Sequence, residues 1–267
     1  MAYGYCRLAC IPLRRSADLV SEMTSQVLFA ESFEILEREG HYLRVRMQHD
    51  GYEGWLDERQ ATEVTQENYH CLNSESTPTF VADATCAAGA GDRSLTLLLG
   101  TPLPGYGDGK FVVPGEIGWI RGSVSRGRVL GPETFMQTLE AYWHAPYLWG
   151  GRSPFGIDCS GFVQMAYRPF GIALPRDSPQ QRDYGVTVES LAKSQLGDVA
   201  FFASGGDGSS HVGVVLSDQR VMHASAFVRI DQMDEDGIIH AESGRRTHEL
   251  LEIKRLDGVP EMTRKST

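Results

Sequence analysis

Apolar and polar residues alternate over short stretches in the first half of the chain, and recur at helical spacing only further on. Gln26–Phe29, Phe33–Leu36, Tyr42–Met47, Leu95–Leu99 and Gly115–Ile120 are short β-like runs separated by Gly, Pro and Asp-Gly signals, and each predicts a strand. Two of the segments end alike. Asp50-Gly51-Tyr52-Glu53-Gly54-Trp55-Leu56 and Gly115-Glu116-Ile117-Gly118-Trp119-Ile120 both close on Gly-Trp-apolar. A shared ending at the close of successive blocks predicts a tandem repeat of small β-barrels, over 1–62 and 63–128.

Near Gly131-Pro132-Glu133-Thr134 the periodicity changes. Phe135, Leu139, Tyr142 and Trp143 fall at helical spacing behind Pro132, which predicts an amphipathic helix. A second helix is predicted to begin near Cys159. Leu196–Phe202, His211–Leu216 and Arg220–His223 read as successive strands of an antiparallel sheet. Helices followed by an antiparallel sheet is an α+β pattern, assigned here to residues 129–260. The polar residues 261–267 are expected to fray.

The composition narrows the partners. With 25 Lys and Arg against 35 Asp and Glu, the chain carries a formal charge of −10. That argues against nucleic-acid binding, a polybasic membrane contact and tight docking to an anionic cell wall. Arg7, Arg14 and Arg15 interrupt any apolar leader, and no run reaches membrane-spanning length. The expectation is a cytoplasmic, monomeric protein, or a periplasmic or secreted one if a leader has been removed. Five cysteines (Cys6, Cys10, Cys71, Cys86 and Cys159) match no zinc-ligand spacing, so neither a metal nor another cofactor is expected. Cys6 and Cys10 could pair in an oxidising compartment; the alternative is reduced thiols. The acidic run Asp231-Gln232-Met233-Asp234-Glu235-Asp236 reads as a solvated loop rather than a calcium site.

The candidate chemistry sits in three short motifs. Asp158-Cys159-Ser160-Gly161 places a cysteine between two capping-type residues at a predicted helix start, where unpaired N–H groups and the helix dipole favour a thiolate. The Cys159 N–H is then available to a developing oxyanion. His211 and His223 follow on two predicted neighbouring strands joined by Ser217-Asp218-Gln219. A nucleophile, a base and a residue to orient the base is the inventory of a cysteine hydrolase. Asp158, Asp177 and Ser178 flank the cysteine and could receive a substrate ammonium, with Ser160 offering a hydroxyl; for the two aspartates, helix capping is the competing role. Trp149 is either a cleft wall or a core aromatic.

Taken in order, DCSGF, RDSPQQ, LGDVAFF, HVGVV and MHAS resemble the NlpC-type cell-wall cysteine peptidases, a papain-like branch, over about 130–256. The resemblance implies Cys159 as nucleophile, His211 as base, His223 as the residue that orients it, and Tyr147 as part of the oxyanion hole. With N-terminal SH3-like domains and PYLWGG added, the chain is similar to the γ-D-glutamyl-L-diamino-acid endopeptidases. That implies cleavage of muropeptides bearing a free N-terminal L-Ala, between D-Glu and the diamino acid. It also implies a first SH3-like domain that helps read the substrate amine, through Tyr52 and an acid before Gln26-Val27-Leu28-Phe29-Ala30-Glu31. Glu22 is the nearest preceding acid, with Thr24 as the alternative at that site. Two other functions stay open: a non-catalytic peptidoglycan-peptide binding protein, and an amidase or acyltransferase of the same superfamily.

Overall fold

A computed structural model describes residues 1–76, 78–126, 131–204, 209–217 and 219–257. The predicted tail, the boundary expected at 128/129 and Asp218 of the predicted turn lie outside them. The chain divides into two compact units, the first of residues 1–128 with 149–153 and 168–173, the second of 129–148, 154–167 and 174–267.

The first unit is strand-built. Strands β1 (Ala2–Cys6), β2 (Cys10–Arg14), β3 (Met23–Leu28), β4 (Ser32–Glu39), β5 (Tyr42–Met47), β6 (Glu53–Asp57) and β7 (Ala61–Val64) form one sheet in the order β3-β2-β6-β5-β4-β1-β7. Alternation does what the pleat requires. In β5, Leu43, Val45 and Met47 are buried while Arg44 and Arg46 face out and pair with Glu53. With Ile11, Leu13, Val27, Phe33 and Leu56 they make a core. Strand β7 pairs with β1, so this sheet runs to Val64 rather than stopping at 62.

Helix α1 (Gln66–Leu72), capped by Thr65, leads to β8 (Thr79–Val81), β9 (Thr85–Ala90), β10 (Arg93–Leu98), β11 (Lys110–Val113), β12 (Glu116–Arg121) and β13 (Val124–Arg126). These give a four-stranded sheet, β10-β9-β12-β11, and the pair β13-β8, around Phe29, Val81, Leu97, Leu103 and Phe111. The repeated Gly-Trp step has the same packing cause in both blocks. A Cβ on Gly54 would stand 2.6 Å from Leu13 Cγ, and one on Gly118 would overlap the Phe111 ring. In each block a core side chain lies flat against a bare strand backbone. The short strand β14 (Arg152–Ser153) also belongs to this unit.

In the second unit, α2 (Pro132–Glu140) has Pro132 in its first turn, and Phe135, Thr138 and Leu139 buried at i, i+3 and i+4. It ends at Glu140, so Tyr142 and Trp143 lie beyond the helix expected to contain them. After β15 (Gly156–Ile157) comes α3 (Cys159–Tyr167), buried along its whole length, as an all-round apolar helix demands. Phe135 meets Tyr167, and Tyr142 meets Phe162 edge-on, with ring centroids 5.1 and 5.9 Å apart. Helix α4 (Ser178–Gln181) is a single turn.

The sheet of this unit contains β16 (Val186–Val188), β17 (Val199–Ser204), β18 (Ser209–Leu216), β19 (Arg220–Ser225), β20 (Phe227–Asp234), β21 (Gly237–Ile239) and β22 (Arg246–Arg255), in the order β16-β22-β17-β18-β19-β20-β21. Strand β22 pairs with β17 and with β21. Six strands therefore close on themselves into a ring, within which the three strands legible in the sequence are successive antiparallel neighbours. Ala200, Phe202, Val215, Val221, Met233, Ile238 and Ile253 pack together within this unit.

Candidate active site

Cys159 is the first residue of α3 and is buried. The helix start is built by Asp158, whose Oδ1 accepts the Gly161 N–H at 2.7 Å, a capping bond. Arg176, 1% exposed, donates to both Asp158 oxygens at 3.0 and 2.6 Å and to Ser160 Oγ at 2.8 Å. The Ser160 hydroxyl in turn donates to Asp158 at 3.3 Å. Of the two roles open for Asp158, the geometry therefore favours the cap. Gln181 Nε2 donates to the Ser160 and Pro175 carbonyls, tying α4 to the head of α3.

The thiol sits differently from the sequence expectation. Burial, reinforced by the Asp158 charge, pushes it up to about 11, against the lowering effect of the Val212 and Ser160 N–H groups and of Arg176. A helix start favours the anion, but here desolvation is larger. On this balance Cys159 rests as a thiol at neutral pH. The N–H of Val212 that meets the sulfur belongs to the residue after His211, which brings β18 to the head of α3.

His211 and His223 lie on neighbouring strands, as expected. In the β18–β19 register Gly213 faces His223, so His211 is its diagonal neighbour. His211 Nε2 and His223 Nδ1 are 2.7 Å apart. The register needs a glycine at 213, since a Cβ there would stand 2.9 Å from that of His223 and 2.7 Å from Val221. His248, on β22, stacks on His211 with centroids 4.4 Å apart at 26°. Burial, then the nearby His223, His248 and Arg229, holds the His211 imidazole well below its usual range. It is therefore neutral near pH 7.

Beyond His223 the hydrogen bonds continue. His223 Nε2 is 3.0 Å from Asp231 Oδ2, which also accepts from Arg229 Nε at 2.9 Å, while Asp231 Oδ1 accepts the Ala241 N–H at 2.9 Å. Asp231 is 1% exposed and sits in β20, so the acidic run begins inside the sheet and not in a solvated loop. Asp234 and Asp236 do face outward, on Arg246. The sequence reading gave no site role to Asp231, Arg176, Gln181 or His248: Asp231 was grouped with a solvated run, Arg176 and Gln181 stood only within a motif, and nothing local marks which histidine turns inward.

Tyr147 is 36% exposed, and its backbone N–H bonds to the Ala226 carbonyl at 2.9 Å. Its hydroxyl is pushed above the usual tyrosine range by burial and by the charges of Cys159 and Asp158, so the three groups share one locality. Ser178 Oγ lies 2.7 Å from Ser210 Oγ, next to His211. Asp177 stands at the N-cap position of α4 without a side-chain cap bond to it. In the first unit, Trp149 is 59% exposed, so it is not a core aromatic, and its Nε1 donates to Glu22 Oε1 at 2.7 Å. Glu22 also pairs with Arg15 at 2.6 Å. Tyr52 packs partly buried against the core of the first sheet.

All five cysteines are free thiols, so Cys6 and Cys10 are not paired. Among the described residues no group of three His, Cys, Asp or Glu is placed to hold a metal, and no helix is long and apolar enough to cross a membrane.

The NlpC/P60 family matches residues 144–245, and the bacterial dipeptidyl-peptidase Sh3 domain matches residues 13–60. A γ-D-glutamyl-L-lysine dipeptidyl-peptidase of Bacillus cereus is 27% identical over 258 residues, covering 85% of this chain and 76% of that protein. Its namesake from Bacillus subtilis is 29% identical over 216 residues, covering 75% and 71%. Among solved structures, an NlpC/P60 family protein from Bacillus cereus superposes with a TM-score of 0.79 at 23% identity, over 95% of this chain and 99% of that one, which establishes the shared fold.

Proposed function

We propose that this chain, which belongs to the NlpC/P60 family and is a cysteine peptidase, cuts the γ-D-glutamyl–diamino acid bond of peptidoglycan stem peptides that begin with a free L-Ala. The observation that carries the chemistry is the buried Cys159 thiol at the head of α3, touched by the N–H that follows His211, with His211 hydrogen-bonded to His223. The names of the relatives from both Bacillus species support the choice of bond.

With both partners neutral at rest, the first step is general-base catalysis. Cys159 attacks the γ-glutamyl carbonyl while its proton passes to His211. The Cys159 N–H and Tyr147 stabilise the oxyanion. His211 then gives the proton to the departing amine, leaving a thioester that water hydrolyses. His223 orients His211. Asp177, Ser178 and Ser160 are the proposed substrate contacts beside the nucleophile, Tyr52 and Glu22 the proposed readers of the substrate amine, and Trp149 a proposed apolar wall. Residues 63–128 serve as a second SH3-like barrel, a reading supported by the Gly118–Phe111 contact that repeats Gly54–Leu13. The enzyme works as a monomer on released peptides in the cytoplasm, in murein peptide recycling.

Mass analysis of a defined digest tests the reading. L-Ala-γ-D-Glu-L-Lys and its meso-diaminopimelate analogue should yield the dipeptide L-Ala-D-Glu and the free diamino acid. N-acetylated peptides and intact sacculi should be cut far more slowly. Equal rates on blocked peptides would remove the ammonium requirement, a different product mass would identify an amidase or transferase, and binding without turnover would leave a binding protein.

A further inference from the structure

We propose that Asp231 is a positioning residue that sets the tautomer of the catalytic base at one remove, through His223. The inference rests on the reading of His211 as base, and it concerns an outer part of the site to which the motifs give no role.

The argument begins with register. Across β19 and β20, His223 faces Arg229 and Val221 faces Asp231, so Asp231 is the diagonal neighbour of His223 on the same face. His211, His223 and Asp231 thus run diagonally over three adjacent strands. The links measure 2.7 and 3.0 Å, and the side chains of His223 and Asp231 are 0% and 1% exposed. Solvent cannot rearrange the chain.

Donor and acceptor counting then fixes the protons. The Asp231 carboxylate receives the Arg229 Nε–H and the Ala241 N–H, and an ionised carboxylate can only accept. His223 Nε2 must therefore carry a hydrogen, which makes Nδ1 of the neutral ring an acceptor. The partner of that acceptor, His211 Nε2, must be N–H. This leaves the lone pair of His211 on Nδ1, the atom able to take the proton from the Cys159 thiol. In the transfer the S–H bond breaks, the Nδ1–H bond forms, and the other hydrogens stay where Asp231 put them.

The effect is directional more than electrostatic. Arg229 shares the same carboxylate oxygen as His223, so the pair at the end of the chain is close to neutral. An asparagine in place of Asp231 cannot satisfy three donors. Its amide must present N–H₂ to at least one of them, which opens the way to the opposite tautomer of His223 and then of His211.

Nitrogen-15 spectra of the imidazoles in the otherwise intact Cys159→Ala protein test the assignment without perturbing the chain. Both His211 and His223 should be Nε2–H tautomers near pH 7, and an Nδ1–H form of either overturns the proposal. Asp231→Asn should lower kcat roughly 10²–10⁴-fold with little change in KM, and should mix or invert the His223 tautomer. In a His223→Ala background the same substitution should have no further effect on kcat, because Asp231 acts only through His223. Retention of kcat within about threefold, or an undiminished loss in the His223→Ala background, overturns it. These outcomes are separate from the fate of the functional reading, which fails if Cys159→Ala remains active.

Discussion

Replacing Glu31 with alanine tests how the first unit holds its buried charges. The carboxylate is 1% exposed and accepts from the Leu28 N–H at 2.8 Å. Arg152 reaches it with two N–H groups at 3.0 Å each, and Arg168 at 2.7 Å. Burial alone would raise the Glu31 carboxyl; Arg152, Arg168 and His49 overcome that and hold it down to about 2, from an ordinary value of 4.5. The difference is worth about 3 kcal/mol at neutral pH. Removing the acid takes the shared carboxylate from two guanidinium groups that are 1% and 10% exposed, a loss of about 3–5 kcal/mol. At roughly 2–4 °C per kcal/mol, the transition of the first unit should fall by about 6–20 °C. Trp55, Trp119 and Trp149 belong to that unit and only Trp143 to the other, so tryptophan fluorescence on heating follows the right transition. Because the folded value is depressed, the stabilisation is complete above pH 4.5 and disappears as pH falls towards about 2. The Glu31→Ala protein should therefore lose less stability than the parent between pH 5 and 2. A drop under about 1 kcal/mol at pH 7, or an unchanged acid limb, would refute the argument.

Three further outcomes follow from the geometry. Alkylation of Cys159 by iodoacetamide should keep accelerating with pH towards about 11, since burial and Asp158 disfavour the thiolate; a plateau already reached below pH 7 would reveal a preformed ion pair with His211. Cys159→Ala should abolish peptide hydrolysis, at least about 10⁴-fold, while leaving the thermal transitions in place, and surviving turnover would name a different nucleophile. Gly118→Val should destabilise the first unit by about 1–3 kcal/mol because its side chain would enter the Phe111 ring, whereas Val112→Thr on the exposed side of the neighbouring strand should cost under about 0.5 kcal/mol; urea midpoints compare the two.

The elements that carry Cys159, His211 and His223 were legible because local grammar announces them. Cysteine at a helix start, and histidines on apolar runs, each carry their element with them. Strand β5 was likewise plain from its alternation alone. What escaped depends on register and burial, which are properties of partners distant in sequence. Asp231 looked solvated among acids, yet pairing with β19 turns it onto His223. The thiol looked activated by its helix start, yet enclosure raised it to about 11. Glu31 was only a landmark in a motif until Arg152 and Arg168, more than a hundred residues on, were seen to converge on it.

The ring of strands in the second unit also sets a timetable. Strand β22 supplies partners to both β17 and β21, and it is the last of the described strands along the chain. While the ribosome is still upstream of Arg246, β17 and β21 each lack a neighbour, and the strands bearing both histidines belong to an unfinished sheet. Closure must bridge from β17 to β22, a long separation along the chain and therefore slow in entropic terms. The strands that carry His211 and His223 thus join a closed sheet only after Arg255 has been made.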